Sequence, residues 1–167
     1  MKKIILVNEK DKIIGKGDKL KCHQENGILH RAFTIFIFNK KGEILIQKRS
    51  KDKMLWPNTW ETSCSSHPKP NEDLIKTAKK RLKKELGFNC NLKYKDKFRY
   101  RANYKDIGAE NEICWILVGE YSGIIAPNKD EVVEIKWIEP EILEQKIKRY
   151  PQKHAPWLKI ALQKLLK

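Results

Sequence analysis

Glu110 and Glu112 stand two residues apart in a run, 110–120, whose apolar and β-branched residues predict a strand. Side chains alternate across a strand, so both carboxylates leave one face, followed there by Cys114, Ile116 and Val118. Ile113, Trp115 and Leu117 take the other face, and apolar residues on both sides place this strand inside a sheet. Two carboxylates in one layer need a counter-ion or raised pKa values. A salt bridge explains one such glutamate and explains a cluster poorly. Three histidines sharpen the case: His23 falls in a loop, His30 at a strand start and His67 in a turn before a helix. Taken singly, each is an ordinary surface or core histidine. Imidazoles and carboxylates gathered on one face match a nitrogen and oxygen site that suits Mn2+, Zn2+ or Mg2+.

A third carboxylate lies on the helix around which the chain is organised. Residues 60–88 read as a strand end, a turn carrying His67, and that helix. Asn71 is the expected N-cap, Glu72 and Asp73 suit the positive first turn, and Gly87 suits the C-terminal stop. At about 100° per residue, Leu74, Ile75, Ala78 and Leu82 form an apolar stripe with Glu85 near its middle. Lysines and Arg81 cover most of the remainder. A carboxylate on a buried face is costly unless something cationic meets it. Two readings stay open for Glu85: an ion pair with a core Arg or Lys, and a metal ligand.

The elements that must position these groups follow from the rest of the chain. Residues 2–7 and 12–15 predict short strands about the turn 8–11, and 16–28 a loop punctuated by Gly17 and Gly27. Residues 29–38 form a strong strand, turned at 39–42 into a hairpin partner at 43–48. A basic loop spans 49–57, where Trp56-Pro57 disfavours helix. After the central helix come a strand at 90–97, continued or ended by Phe98-Arg99-Tyr100-Arg101, and then strands at 110–120 and 132–137. Pro140 can start a helix at its first position, and 156–166 closes the chain as another. Strand-rich halves around a central helix predict an α/β protein: one domain, residues 1–167, built as an α/β/α sandwich with a mixed sheet.

A chain of 167 residues can bury a core without disulfide support. No apolar run is long enough to span a bilayer, and the opening Met-Lys-Lys-Ile-Ile-Leu-Val is too short and too soon charged for a signal peptide. Cys22, Cys64, Cys90 and Cys114 are accordingly expected as reduced cytosolic thiols. None forms a Cys-x-x-Cys pair of the zinc-knuckle type. The net charge of +15 favours anionic partners. Only six of the 36 basic residues are Arg, they are scattered, and no nucleic-acid-reading motif accompanies them. Phosphorylated small molecules are the better expectation.

Several motifs then come in order: His23 with Gly27-Ile28-Leu29-His30-Arg31-Ala32-Phe33, the loop 49–60, Cys64-Ser65-Ser66-His67-Pro68, Lys84-Glu85-Leu86-Gly87, Phe98-Arg99-Tyr100-Arg101, and Glu110-Asn111-Glu112-Ile113-Cys114. Together they resemble the type 1 isopentenyl-diphosphate isomerases, a branch of the Nudix superfamily, over nearly the whole chain. The resemblance implies a Nudix-type sandwich and the 1,3-allylic isomerisation of isopentenyl diphosphate to dimethylallyl diphosphate. It implies one divalent metal held by His23, His30, His67, Glu110 and Glu112, and a Mg2+ that bridges the substrate diphosphate through Glu85. Lys19, Arg49 and Lys53 match basic residues that grip the diphosphate, a task suited to a planar Arg fork beside point-charge lysines. The proton-transfer glutamate falls on Glu112, with the Tyr100 hydroxyl near it. Trp157 matches an aromatic whose face stabilises a tertiary carbocation; its alternative is a core Trp on a helix face. The expected partner is a small isoprenyl diphosphate, and the expected assembly a cytoplasmic monomer or homodimer.

Ser65 departs from that pattern. The family's second catalytic residue is a cysteine two positions before the histidine, and counting back from His67 gives Ser65. Adjacent strand residues face opposite sides, so Cys64 cannot take over without a change of register. A thiol titrates near pH ~8.5 and can become a thiolate, whereas a serine hydroxyl must hydrogen-bond or pass a proton through water. The helix departs too. Where the hydrolase form carries Arg-Glu-x-x-Glu-Glu, this chain has Lys80-Arg81-Leu82-Lys83-Lys84-Glu85 and keeps only the last glutamate, a loss that matches the isomerases. Three functions follow in order: the isomerase, a Nudix hydrolase of a small diphosphate, and a metal- or diphosphate-binding pseudoenzyme.

Overall fold

The run Ala32–Phe38 is apolar apart from Thr34, and in the computed structural model, which describes residues 2–167, it belongs to the central strand β3 (His30–Phe38). Strand β8 (Gly108–Glu120) runs parallel to it in unbroken register, from His30 opposite Glu112 to Phe38 opposite Glu120. Strand β7 (Leu92–Tyr104) lies antiparallel to β8 along its length. Thus the strand expected at 90–97 continues through Phe98-Arg99-Tyr100-Arg101.

The other edge of β3 is shared by three strands in succession. Strand β1 (Lys3–Val7) meets it at His30, β6 (Cys64–Ser66) from Phe33 to Ile35, and β4 (Ile44–Arg49) at Ile37 and Phe38. The expected hairpin of β3 with β4 therefore holds for two residue pairs. Strand β4 then turns away to pair with β5 (Trp60–Glu61) and β9 (Val132–Ile138), while β2 (Ile13–Asp18) flanks β1. Among the described residues these nine strands form one mixed sheet.

Helices cover both faces, as apolar strand faces require. Helix α2 (Leu74–Leu86) packs Leu74, Ala78, Leu82 and Leu86 against Phe33, Ile35, Ile37, Leu45 and Leu117. On the opposite face α3 (Pro140–Arg149) and α4 (Pro156–Leu165) bring Leu143, Ile147, Leu158 and Leu162 onto Phe36, Ile44, Ile46 and Ile116. The result is the expected α/β/α sandwich. No helix among the described residues is long and apolar enough to cross a membrane.

Two expectations change. The cap of α2 is Asp73 rather than Asn71: its carboxylate accepts from Lys76 N at 2.9 Å. Asn71 instead takes a left-handed turn conformation, φ 63°, which Asn tolerates better than most residues. Glu72 lies just before the first turn and accepts from Thr77 Oγ1 at 2.7 Å. Gly87 does stop the helix with φ 78°, and a Cβ there would stand 2.7 Å from Ala126 O. The loop expected at 16–28 contains a four-residue helix, α1 (Lys19–Cys22), capped by Asp18, whose Oδ1 accepts from Lys21 N at 3.2 Å.

Candidate active site

The register of β3 and β8 sets His30 beside Glu112, and the end of α1 and the turn after β6 bring in His23 and His67. One ligand atom from each of His23, His30, His67, Glu110 and Glu112 lies within 4.8 Å of all the others. The sequence-predicted five converge. His23 Nε2 is 3.0 Å from Glu110 Oε2, and His30 Nε2 is 3.2 Å and His67 Nε2 3.0 Å from Glu112 Oε1.

The surroundings of this cluster fit a divalent cation. His23 Nδ1 lies 2.6 Å from Lys19 O, and His30 Nδ1 2.7 Å from Ile28 O. A carbonyl only accepts, so both Nδ1 atoms carry hydrogen, and rings of that tautomer would present the Nε2 lone pair to a metal. Lone pairs facing carboxylate oxygens need either a second ring proton or a metal between them. Glu110 Oε2 is buried and makes no hydrogen bond among the described residues. Burial, with the charge of Glu112 beside it, pushes the Glu110 carboxyl up to about 7. For Glu112 burial also acts upward, but hydrogen bonds from His30 and His67 outweigh it and hold the group well below the carboxylate range. Burial drives His67 down to about 3, which opposes a proton there and leaves its ring free to ligate.

Around the cluster opens a cavity of about 720 Å3, lined among others by Lys19, Arg49, Lys53, Ser65, Tyr100 and Trp157. Tyr100, opposite Glu112 in the β7–β8 register, donates its hydroxyl to Glu112 Oε2 at 2.8 Å. Burial and the neighbouring carboxylates push its phenol well above the usual range, so it stays a donor. Lys19 is held below the usual lysine range by burial and by Lys53, Lys2 and Arg81, which marks one end of the cavity as strongly cationic.

Two predicted grips are already engaged. Arg49 donates from Nε to Trp56 O, from Nη1 to Glu61 Oε1 and from Nη2 to Leu55 O, at 3.0, 2.9 and 2.9 Å. That leaves two of the five guanidinium N–H bonds for a ligand. Lys53 pairs with Glu131 at 2.6 Å.

Glu85 stands apart from the five. It is ion-paired with Arg81 and accepts from Gln47 Nε2 at 2.9 Å, which is the ion-pair reading of its burial in α2. Arg81 lines the cavity, and Glu85 is not among its lining residues.

Ser65 faces the cavity, and Cys64 is packed on the α2 side, as strand alternation requires. Burial, with the charge of Glu85, pushes the Cys64 thiol well above its usual range, so it is no substitute nucleophile or base. The Ser65 hydroxyl closes a triangle with Thr34 and Thr62: 2.9 Å to each, and 2.6 Å between the threonines. Sequence reading missed both threonines, because Thr34 becomes a neighbour only through the β3–β6 register.

A glycine holds this geometry open. A Cβ on Gly108 would collide with His23 O, which accepts from Ala109 N at 2.9 Å. Gly108→Ala is therefore expected to displace His23 and weaken divalent metal binding by at least about tenfold. Calorimetric titration with Mn2+ measures this, and wild-type affinity would refute the close approach.

Residues 28–159 match the NUDIX domain family. An isopentenyl-diphosphate Delta-isomerase of Burkholderia multivorans is 39% identical over 85% of this chain and 81% of that protein. An isopentenyl-diphosphate Delta-isomerase 1 of Aromatoleum aromaticum is 35% identical over 98% of this chain and 92% of its own. Among solved structures, DR0079 from Deinococcus radiodurans superposes with a TM-score of 0.82 at 16% identity, covering 99% of this chain and 100% of that one. A MutT protein from Methanosarcina mazei gives 0.63 at 16% identity over 81% and 91%. These structural likenesses establish the sandwich, and the sequence relatives establish the branch. The chain belongs to the Nudix family, among the isopentenyl-diphosphate isomerases.

Proposed function

We propose that this protein interconverts isopentenyl and dimethylallyl diphosphate by proton addition at one carbon and proton removal at another. The observation that carries the reading is the cavity in which Glu112, hydrogen-bonded to Tyr100, shares walls with Ser65, Trp157 and a cationic end. Glu112 adds a proton to the terminal alkene carbon, which leaves a tertiary carbocation beside the Trp157 ring. A proton then leaves the carbon next to the diphosphate-bearing one, its C–H electron pair becoming the new double bond. A water held on the Ser65 hydroxyl takes that proton and passes it to solvent.

His23, His30, His67, Glu110 and Glu112 would hold a divalent metal, Mn2+, Zn2+ or Mg2+, which supplies the positive charge that neutralises two buried carboxylates. Glu112 Oε2 accepts from the Tyr100 hydroxyl, which orients the carboxyl toward the cavity where acid catalysis would take place. Lys19, Arg49 and Lys53 would bind the diphosphate. Glu85 would hold a Mg2+ carried with it, and Arg81, which also lines the cavity, would add positive charge beside the phosphates.

Isopentenyl diphosphate incubated in deuterated water with Mg2+ and Mn2+ tests the reading by NMR. Deuterated dimethylallyl diphosphate is the expected product. Phosphate release without isomerisation would move the assignment to a hydrolase, and unchanged substrate with metal and diphosphate bound to a pseudoenzyme. Ser65→Ala is expected to lower kcat about a hundredfold with little change in KM. Ser65→Cys, with an ionisable thiol, is expected to raise it. Equal rates for all three chains would show that the proton leaves without this side chain.

A further inference from the structure

Glu61 is a carboxylate with 2% exposure on β5, a member of neither the metal cluster nor the diphosphate grip, although it binds Arg49 of that grip. Each of its oxygens has one partner. Oε1 accepts from Arg49 Nη1 at 2.9 Å, and Oε2 from Trp157 Nε1 at 3.0 Å. These partners come from distant parts of the chain, β4 and α4, and both line the cavity. The Arg49 guanidinium also lies over the Trp157 ring, 5.1 Å from its centroid, and Trp56 meets that ring edge-on at 5.6 Å.

This arrangement poses an electrostatic problem that Glu61 solves. A positive centre forming beside an indole is attracted by the ring's quadrupole but repelled by a guanidinium already seated over it. An ionised carboxylate bonded to both groups cancels the guanidinium charge locally, and a charge-assisted bond from Nε1–H fixes the tilt of the ring. Neither task can be done by water, since Glu61 is shut away from it.

We propose that Glu61 is a positioning residue for Trp157: it orients the indole through Nε1–H and cancels the charge of Arg49, so that the ring can face a carbocation. The role rests on the isomerase reading above. Glu61→Gln removes the charge and, having a single acceptor oxygen, cannot keep both bonds.

The test is a double-mutant cycle on isomerisation, with Glu61→Gln made in the wild type and in Trp157→Phe, which lacks the N–H. In the wild type, Glu61→Gln is expected to lower kcat about tenfold or more, misplacement of a reacting surface being costly. In Trp157→Phe the same change is expected to lower it several-fold less, because only the uncancelled Arg49 charge remains and no N–H is left to orient. The Trp157 indole N–H resonance, assigned by its loss in Trp157→Phe, is expected to move upfield in Glu61→Gln. Equal kcat losses in both backgrounds, or an unmoved resonance, would overturn the role while leaving the isomerase standing. No product from the wild type would overturn both. Mn2+ affinity at the histidine cluster, which Glu61 does not touch, controls for folding. If Glu61→Gln fails that control, Glu61→Asp replaces it in the same cycle, keeping the charge but falling one methylene short of bridging both partners.

Discussion

Glu112→Gln is expected to abolish the isomerisation of isopentenyl diphosphate, with a loss of at least about 10^3-fold in kcat, or roughly 4 kcal/mol of barrier. The amide is nearly isosteric and keeps an oxygen toward His30 and His67, so α/β/α packing around β8 is expected to survive. What disappears is the titratable proton. Glu112 is 5% exposed and lies between two imidazoles and the Tyr100 hydroxyl, so bulk water is poorly placed to replace it. Far-ultraviolet circular dichroism should match the wild type while deuterium incorporation into dimethylallyl diphosphate vanishes. Retained turnover would remove Glu112 from the mechanism and redirect attention to Tyr100.

Stripping the protein of divalent metal should have the other large effect, on stability and activity together. The five groups come from the end cap of α1, β3, β8 and the turn after β6, so a bound ion would tie together elements that are far apart in sequence. At a free metal concentration a thousandfold above Kd, binding adds about 4 kcal/mol to the folded state. For a chain of this length that corresponds to a rise in Tm on the order of 10 °C. Chelator-treated protein should melt that much lower, turn over no isopentenyl diphosphate, and recover both on adding Mn2+, Zn2+ or Mg2+. Indistinguishable melting curves would mean that the histidines and glutamates hold no metal.

Much of the site could be read from residue types because strand alternation is a strong constraint. Glu110 and Glu112 share a face of β8 whatever its neighbours, and the apolar residues on both its faces required a central strand. The exclusion of Cys64 from the cavity followed from the same rule. Features set by tertiary pairing were hidden. A four-residue helix has no periodicity to detect, so α1 read as loop, although it carries Lys19 and precedes His23. Whether Asn71 or Asp73 capped α2 depended on which of them the preceding turn would use. Glu85 met Arg81, and the apolar stripe alone could not choose between its two readings. Glu61 left a weak trace, an acidic residue in a short strand of otherwise neutral side chains. Its partners lie 12 and 96 residues away.

The pairing of His30 with Glu112 across 82 residues also orders events during synthesis. A ribosome-bound chain that has emerged only as far as α2 already owns three histidines but neither carboxylate. It can hold an ion weakly at best, and can release or exchange it. The carboxylates join only when β8 slides in beside β3, a parallel pairing that must wait for the intervening crossover and forms slowly. Stable capture of a cation therefore comes after the two halves have met.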